Sequence, residues 1–400
     1  MKTKKLRDSV SPWFKPSLMN LPFFHRSVTE VLVKPAGPDC NLDCEYCFYI
    51  DKLRQYPSRT TRMSDSILEA MIRQLMSQNV PQISIGWQGG EPTLMGLPFY
   101  RKAVDLMERY GHGQSVSNGL QTNGVLVDNE WAKFFRDYYF LIGLSLDGPE
   151  HIHDHYRKNR GGHGSWSKAL DASKLLLDHG VEVNVLSVVN NYSVQFPDEI
   201  YEFHKSQGLN FMQFIPCVET EGNSVANFSV AATSYGEFLK RLFDLWLADF
   251  VDGVPTTSIR WFEALLFKYA GFSPTECTLL ETCGEYLLIE HTGDVFACDF
   301  FVELEWKLGN LLETPLPTLF NSRKQTNFGQ LKSNLPTDCR TCEWKTQCRG
   351  GCTKDRLRNP ALDGRNHFCE AYKLFFAHAD SKLRTLADEW KNKTTEAPRH

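Results

Sequence analysis

"CNLDCEYCFY", residues 40–49, decides how the chain is read. It places Cys40, Cys44 and Cys47 in a C-x3-C-x2-C spacing that closes on aromatic residues. Three thiols are one short of the set that a structural zinc or an ordinary iron–sulfur cube takes. Two readings follow from the residues alone. Zinc completes its shell with a remote histidine. Alternatively, a [4Fe–4S] cube is held by three of its irons, and the fourth keeps open coordination positions, as a catalytic metal site must.

The flanking sequence alternates between two kinds of segment. Strand-like runs occur at Glu30–Lys34, Gln82–Trp87, Gln114–Asn118, Phe140–Leu146, Val181–Val189 and Asn210–Ile215. Amphipathic helical stretches lie between them at Asp65–Gln78, Pro98–Tyr110, Asn129–Asp137, Trp166–His179 and Pro197–Gln207. This pattern predicts an α/β fold with a parallel sheet and crossover helices. Six strands are too few for a closed eight-stranded barrel. A partial (β/α)6, TIM-like barrel, open on one side, is preferred over a flat doubly wound sheet. The expected domains are an N-terminal extension over 1–28, the barrel over 29–260 and a Cys-rich domain with a C-terminal helix over 261–400.

Ligands of parallel α/β folds bind at the carboxyl ends of the strands. Here the first strand runs into Cys40–Cys47, the second into "WQGGEP" (87–92), the third into "LQTNG" (120–124) and the fourth into "SLDGP" (145–149). Gly89 and Gly90 permit close backbone approach. Gln121, Asn123, Ser145, Asp147 and Arg157 carry groups suited to amino, carboxylate and ribose partners. Any one of these motifs is equally well a turn after a strand. Their gathering on one rim, beside three thiols, favours a site.

Bulk composition narrows the class. Of 400 residues, 42% are hydrophobic and 23% charged, the balance of a globular enzyme. A net charge of −4 gives no polyelectrolyte signal, so nucleic acid is not an expected partner. No apolar run is long enough to span a membrane. "MKTKK" at the start lacks an apolar core with a cleavage site, so a cytoplasmic location is expected. Twelve cysteines in a reducing compartment point to metal or redox chemistry rather than disulfides. Besides the opening three and a lone Cys217, eight lie between Cys277 and Cys369. Eight makes two sets of four, with the pairing open. Cys217 reads as a small apolar residue and is not assigned to a metal.

With "GGEP" at 89–92, the three-cysteine loop resembles the radical S-adenosylmethionine (SAM) enzymes. That resemblance implies a [4Fe–4S] cluster whose open iron is chelated by SAM. The C-terminal cysteines resemble a SPASM domain with two auxiliary [4Fe–4S] clusters. By that resemblance Cys277, Cys283, Cys298 and Cys352 hold one cluster, and Cys339, Cys342, Cys348 and Cys369 the other. "DCNLDCEYCFY", "WQGGEPTL", "LQTNG", "LSLDGP" with "HDHYR", and "GDVFACDFF" are similar to the anaerobic sulfatase-maturating enzymes, over roughly residues 29–372.

The resemblance implies oxidation of a Cys or Ser in an unfolded sulfatase segment to Cα-formylglycine. A low-potential donor such as flavodoxin or ferredoxin would supply the electron. It implies SAM contacts at Tyr46, Gly90, Gln121, Ser145 and Arg157. Gly89, Glu91, Asn123 and Asp147 join them as cofactor-side candidates on the same rim. Tyr49 and Gln88 would face the substrate or the reaction centre. Asp299, directly after Cys298, would be the general base. "GGCTKDR" (350–356) departs from the family pattern of a proline and a basic residue after that cysteine, which bears on the substrate. The competing readings are a maturase forming thioether or carbon–carbon crosslinks in another peptide, and a zinc-binding scaffold.

Overall fold

The computed structural model describes residues 26–56 and 60–396. Most of the expected extension over 1–28 therefore lies outside the described residues. The six expected strands form: β1 (Glu30–Lys34), β2 (Gln82–Trp87), β3 (Ser115–Thr122), β4 (Leu141–Ser145), β5 (Val183–Val189) and β6 (Phe211–Pro216). Their crossovers carry α1 (Asp65–Met76), α2 (Leu97–Tyr110), α3 (Asn129–Asp137), α4 (Glu150–Tyr156), α5 (Trp166–Asp178) and α6 (Pro197–Ser206). α1 starts where the Ser64 hydroxyl accepts from the Ile67 amide, and Leu68, Met71, Ile72 and Leu75 form its buried stripe. α3 is capped in the same way by Asp128, which accepts from the Glu130 and Trp131 amides.

The strand order settles the architecture. β1 to β6 lie side by side in sequence order, all parallel. A doubly wound sheet reverses order at a switch point; this one does not. The sheet winds one way, as a barrel wall does, and stops short of closure. The free flank of β6 is taken by the short β7 (Ser258–Ile259). The free flank of β1 is taken by β8 (Leu287–Glu290), which pairs parallel to it in the register Val31 to Leu287 through Lys34 to Glu290. β9 (Asp294–Phe296) and β10 (Lys307–Asn310) continue the sheet antiparallel, so strands from the Cys-rich segment extend the barrel wall.

Three further helices lock this arrangement: α7 (Ala232–Ala248), α8 (Arg260–Tyr269) and the long α9 (Cys369–Glu396). Phe375 on α9 stacks on Phe262 of α8 at 5.5 Å and meets Phe243 of α7 edge-on at 5.6 Å. Two local expectations need adjusting. β3 runs on through Thr122, because Gln121 and Thr122 pair with Gly143 and Leu144 of β4. "EHIHDHY" forms the helix α4, which its sparse apolar residues do not announce.

Candidate active site

The loop after β1 is sewn to the loop after β2. The Gly90 amide donates to Gly37 O (2.8 Å) and the Glu91 amide to Asp39 O (2.9 Å). A Cβ on Gly90 would sit 2.0 Å from Asp39 O, so this close approach is to the chain's own backbone beside Cys40. Glu91 is buried, and its carboxylate accepts from the Thr93 amide and hydroxyl, the Thr122 hydroxyl and the Asn123 amide at 2.6–3.0 Å. It ties "GGEP" to "LQTN". Asn123 Nδ2 in turn donates to Asn41 Oδ1 at 2.7 Å and lies 3.8 Å from Cys40 Sγ.

A second hub supports the other side of the loop. The buried Asp147 accepts from Arg157 Nε (2.8 Å) and Nη2 (3.1 Å), the Tyr46 hydroxyl (2.6 Å) and the Val188 amide (2.9 Å). Burial opposes ionisation of Asp147, but the Arg157 charge and the hydrogen bonds prevail and hold its carboxyl below the usual range. Arg157 also lies 5.5 Å from the Tyr46 ring centre. Gln121 Nε2 donates to Ser145 Oγ at 3.0 Å. Gly143 makes room, since a Cβ there would meet Gln121 Oε1 at 2.0 Å. The structure thus brings Tyr46, Gly90, Gln121, Asn123, Ser145, Asp147 and Arg157 to one rim around the three-cysteine loop. Gln88 sits there too, half-buried, its amide donating to Val33 O at 2.9 Å.

Beneath that rim, at the end of β1, stands a buried lysine. Lys34 is 1% exposed; its Nζ is 2.5 Å from Asp299 Oδ1 and 3.4 Å from the Tyr49 ring centre. Asp299 Oδ1 makes no aligned hydrogen bond, so the contact is an ion pair. The Tyr49 hydroxyl donates to Glu290, the register partner of Lys34. Tyr49 is therefore part of the buried wall, carrying Lys34 on its face.

The C-terminal thiols fall into two groups. Cys277 interacts with Cys298 and Cys283, and Cys352 with Cys277 and Cys298. Cys348 interacts with Cys369, Cys339 and Cys342, and these four line one cavity with Trp344 and Tyr372. Burial pushes the thiols of Cys44, Cys277, Cys298 and Cys348 up to about 12. Ligation here must therefore displace protons. Among the described residues no three His, Cys, Asp or Glu side chains close around a single ion. Buried donors without a protein partner flank ligand candidates: Asn41 Nδ2 beside Cys40, Thr278 Oγ1 beside Cys277 and Arg349 Nε beside Cys348. Such orphans fit loops that wrap an added group rich in acceptors, as iron–sulfur clusters are.

The profile of the Radical SAM superfamily matches residues 35–204, and that of SPASM, an iron–sulfur cluster-binding domain, matches residues 277–343. The serine-type anaerobic sulfatase-maturating enzyme of Bacteroides thetaiotaomicron is 37% identical over 388 residues, covering 92% of this chain and 93% of its own. The chain belongs to the anaerobic sulfatase-maturating enzymes. The cysteine-type enzyme of Clostridium novyi is 38% identical over 363 residues, covering 90% of this chain and 97% of its own. A solved structure of native anSMEcpe with bound AdoMet and Cp18Cys peptide matches with a TM-score of 0.84 at 36% identity, covering 90% of this chain and 99% of that one.

This maturating enzyme is thus a radical SAM enzyme with an iron–sulfur domain. No described helix is long and apolar enough to cross a membrane. Sequence reasoning missed Lys34, Glu290 and the helix-borne His153, whose Nδ1 accepts from the Asp147 amide at 3.2 Å. Only "VK" ahead of the cysteine loop hinted at the first, because a lysine ending a strand ordinarily caps it at the surface.

Proposed function

We propose that the chain oxidises a Cys or Ser side chain in an unfolded sulfatase segment to Cα-formylglycine, independently of oxygen. Cys40, Cys44 and Cys47 would hold one [4Fe–4S] cluster and the two C-terminal thiol groups two more. The chemistry supplied by these bound groups is Hβ abstraction by a 5′-deoxyadenosyl radical from SAM, and uptake of one electron from the substrate. A flavodoxin- or ferredoxin-type donor would supply the electron for SAM cleavage.

The chain's own residues do the rest. Tyr46, Gln121, Ser145 and Arg157 line the SAM side of the rim, braced by Asp147, Asn123 and Glu91. Gly89 and Gly90 keep the loops close. Gln88 belongs to the substrate side; Tyr49, expected there but buried in the wall, positions Lys34 and through it Asp299. Asp299 accepts the thiol or hydroxyl proton at a carboxylate oxygen as the substrate carbon loses its electron. The Ser product is then the aldehyde directly; the Cys product is a thioaldehyde, which water converts to the aldehyde with loss of hydrogen sulfide.

The observation that carries this reading is the placement of Asp299. It adjoins Cys298, a ligand of the proposed first auxiliary cluster, and is paired with a lysine one loop away from the SAM-side thiols. The test is anaerobic incubation with reductant, SAM and C-x-P-x-R or S-x-A-x-R peptides, read by mass spectrometry. Conversion to the aldehyde supports the reading. Thioether or carbon–carbon crosslinks, with no aldehyde, would replace it. Relatives of both types match at nearly equal identity, so both peptides are needed.

A further inference from the structure

Between the two C-terminal thiol groups the structure holds two lysines that the reaction does not use, Lys332 buried and Lys268 half-buried. Lys332 has 0% exposure, and its Nζ donates to Cys277 O at 2.5 Å and Thr278 O at 2.7 Å. Lys268 Nζ donates to the next carbonyl of the same turn, Leu279 O, at 2.6 Å, and to Gln347 O at 3.0 Å. Three successive carbonyls that begin at a ligand candidate of the first group are thus gripped by two ammonium groups. Lys268 also reaches the residue before Cys348, a ligand candidate of the second.

Burying an ammonium is costly unless it is paired. Among the described residues neither lysine forms a salt bridge with a carboxylate; the nearby Glu281 is paired with Arg349 at 2.7 Å. The side chains that act on Lys332 with opposite charge, once they ligate a cluster, are those of Cys277, Cys283, Cys352 and Cys348, drawn from both groups. Thr278 Oγ1, Gln347 Oε1 and Arg349 Nε are buried at the same junction without hydrogen-bond partners. Two cations without a carboxylate partner, and two orphaned donors, fit a position between two anionic clusters.

We propose that Lys332, braced by Lys268, is a shared countercharge of the two auxiliary clusters and raises the reduction potential of both. It rests on the reading that these eight cysteines hold two clusters. The physical ground is that a nearby fixed positive charge favours the reduced, more negative form of a cluster. A positive charge on the shared flank acts on the first and second cluster together.

The test is a potentiometric titration of the anaerobic holoenzyme, followed by electron paramagnetic resonance, on the signals that do not respond to SAM. Lys332→Met should move the auxiliary midpoints to lower potential, and Lys332→Arg should leave them near the parent. A full iron complement in Lys332→Met with unmoved midpoints overturns the proposal, as do equal shifts in both variants. If Lys332→Met loses iron, Lys332→Arg decides: retained iron assigns the loss to charge and supports the proposal, and equal loss assigns it to shape and overturns it. Iron content of the parent reads the premise separately. About four irons per chain would remove the premise and the proposal together; about twelve with unmoved midpoints would overturn the proposal alone.

Discussion

The Lys34 ammonium lies 2.5 Å from Asp299 Oδ1, joining the strand that leads into the three-cysteine loop to the residue after Cys298. A carboxylate held this way is fixed in place and sheltered from water. It can take up a proton without first reorganising.

Replacing Asp299 by Asn keeps the shape and removes the base. Reductive SAM cleavage should continue, and 5′-deoxyadenosine should accumulate beyond product. Aldehyde formation should fall by about two orders of magnitude, the usual scale for a lost general base. Mass spectrometry and nucleoside chromatography on the same samples check both. Unchanged peptide oxidation with full iron would move the base to another residue.

The ion pair is buried on both sides, so breaking it should be felt in stability. Lys34→Met leaves a buried carboxylate unpaired, a loss of about 3–5 kcal/mol by precedent for such pairs. The double variant Lys34→Met, Asp299→Asn should recover much of this, since no isolated charge remains. Anaerobic thermal denaturation of the parent, the two single variants and the double variant gives the coupling. Simple additivity would mean the pair is not coupled.

Gly90 carries a geometric prediction. Its Cβ position overlaps Asp39 O at 2.0 Å, so Gly90→Ala must push the Cys40 loop aside, at about 1–3 kcal/mol by the scale of overpacking. Iron per chain should fall selectively, toward the content of a Cys40, Cys44 and Cys47 triple Ala variant. For that triple variant we expect about eight irons in place of about twelve. Normal iron in Gly90→Ala would show that the loop tolerates the shift.

Two buried histidines set an acid limit. Burial holds His153 and His204 neutral, each lowered from 6.5 to about 3. The unfolded chain therefore takes up protons first. Stability from these groups is complete above pH 6.5 and is lost as pH falls from 6.5 toward 3, by about 1.4 kcal/mol per pH unit for each histidine. Urea denaturation at several pH values should show this slope, and His204→Gln should reduce it. An unchanged slope in that variant would assign the acid limit elsewhere.

The barrel was legible because each strand, and every crossover helix but α4, announces itself over several residues. β1 and β2 match the sequence reading at both ends, and α3 does too. What escaped is what depends on distant partners. β8 is four residues, "LLIE", and becomes part of the wall only because β1 offers a free flank. Its Glu290 and the opposed Lys34 look like ordinary strand-end charges until the register brings them side by side. The glycines of "GGEP" were read as space for a ligand, whereas Gly90 first makes space for Asp39. At the rim, residue types pointed to a candidate site, but their mutual hydrogen bonds were visible only in three dimensions.

The seat of β8 beside β1 has a practical consequence for anyone cutting or recombining these proteins. A fragment ending before Leu287 would leave β1, lined by Val31 and Val33, with bare amides and carbonyls along one side. An exposed flank of that kind invites self-association. A chimera that exchanges the cysteine-rich half must therefore carry its own strand in matching register. Otherwise the donor half arrives with its cysteines intact and the recipient precipitates.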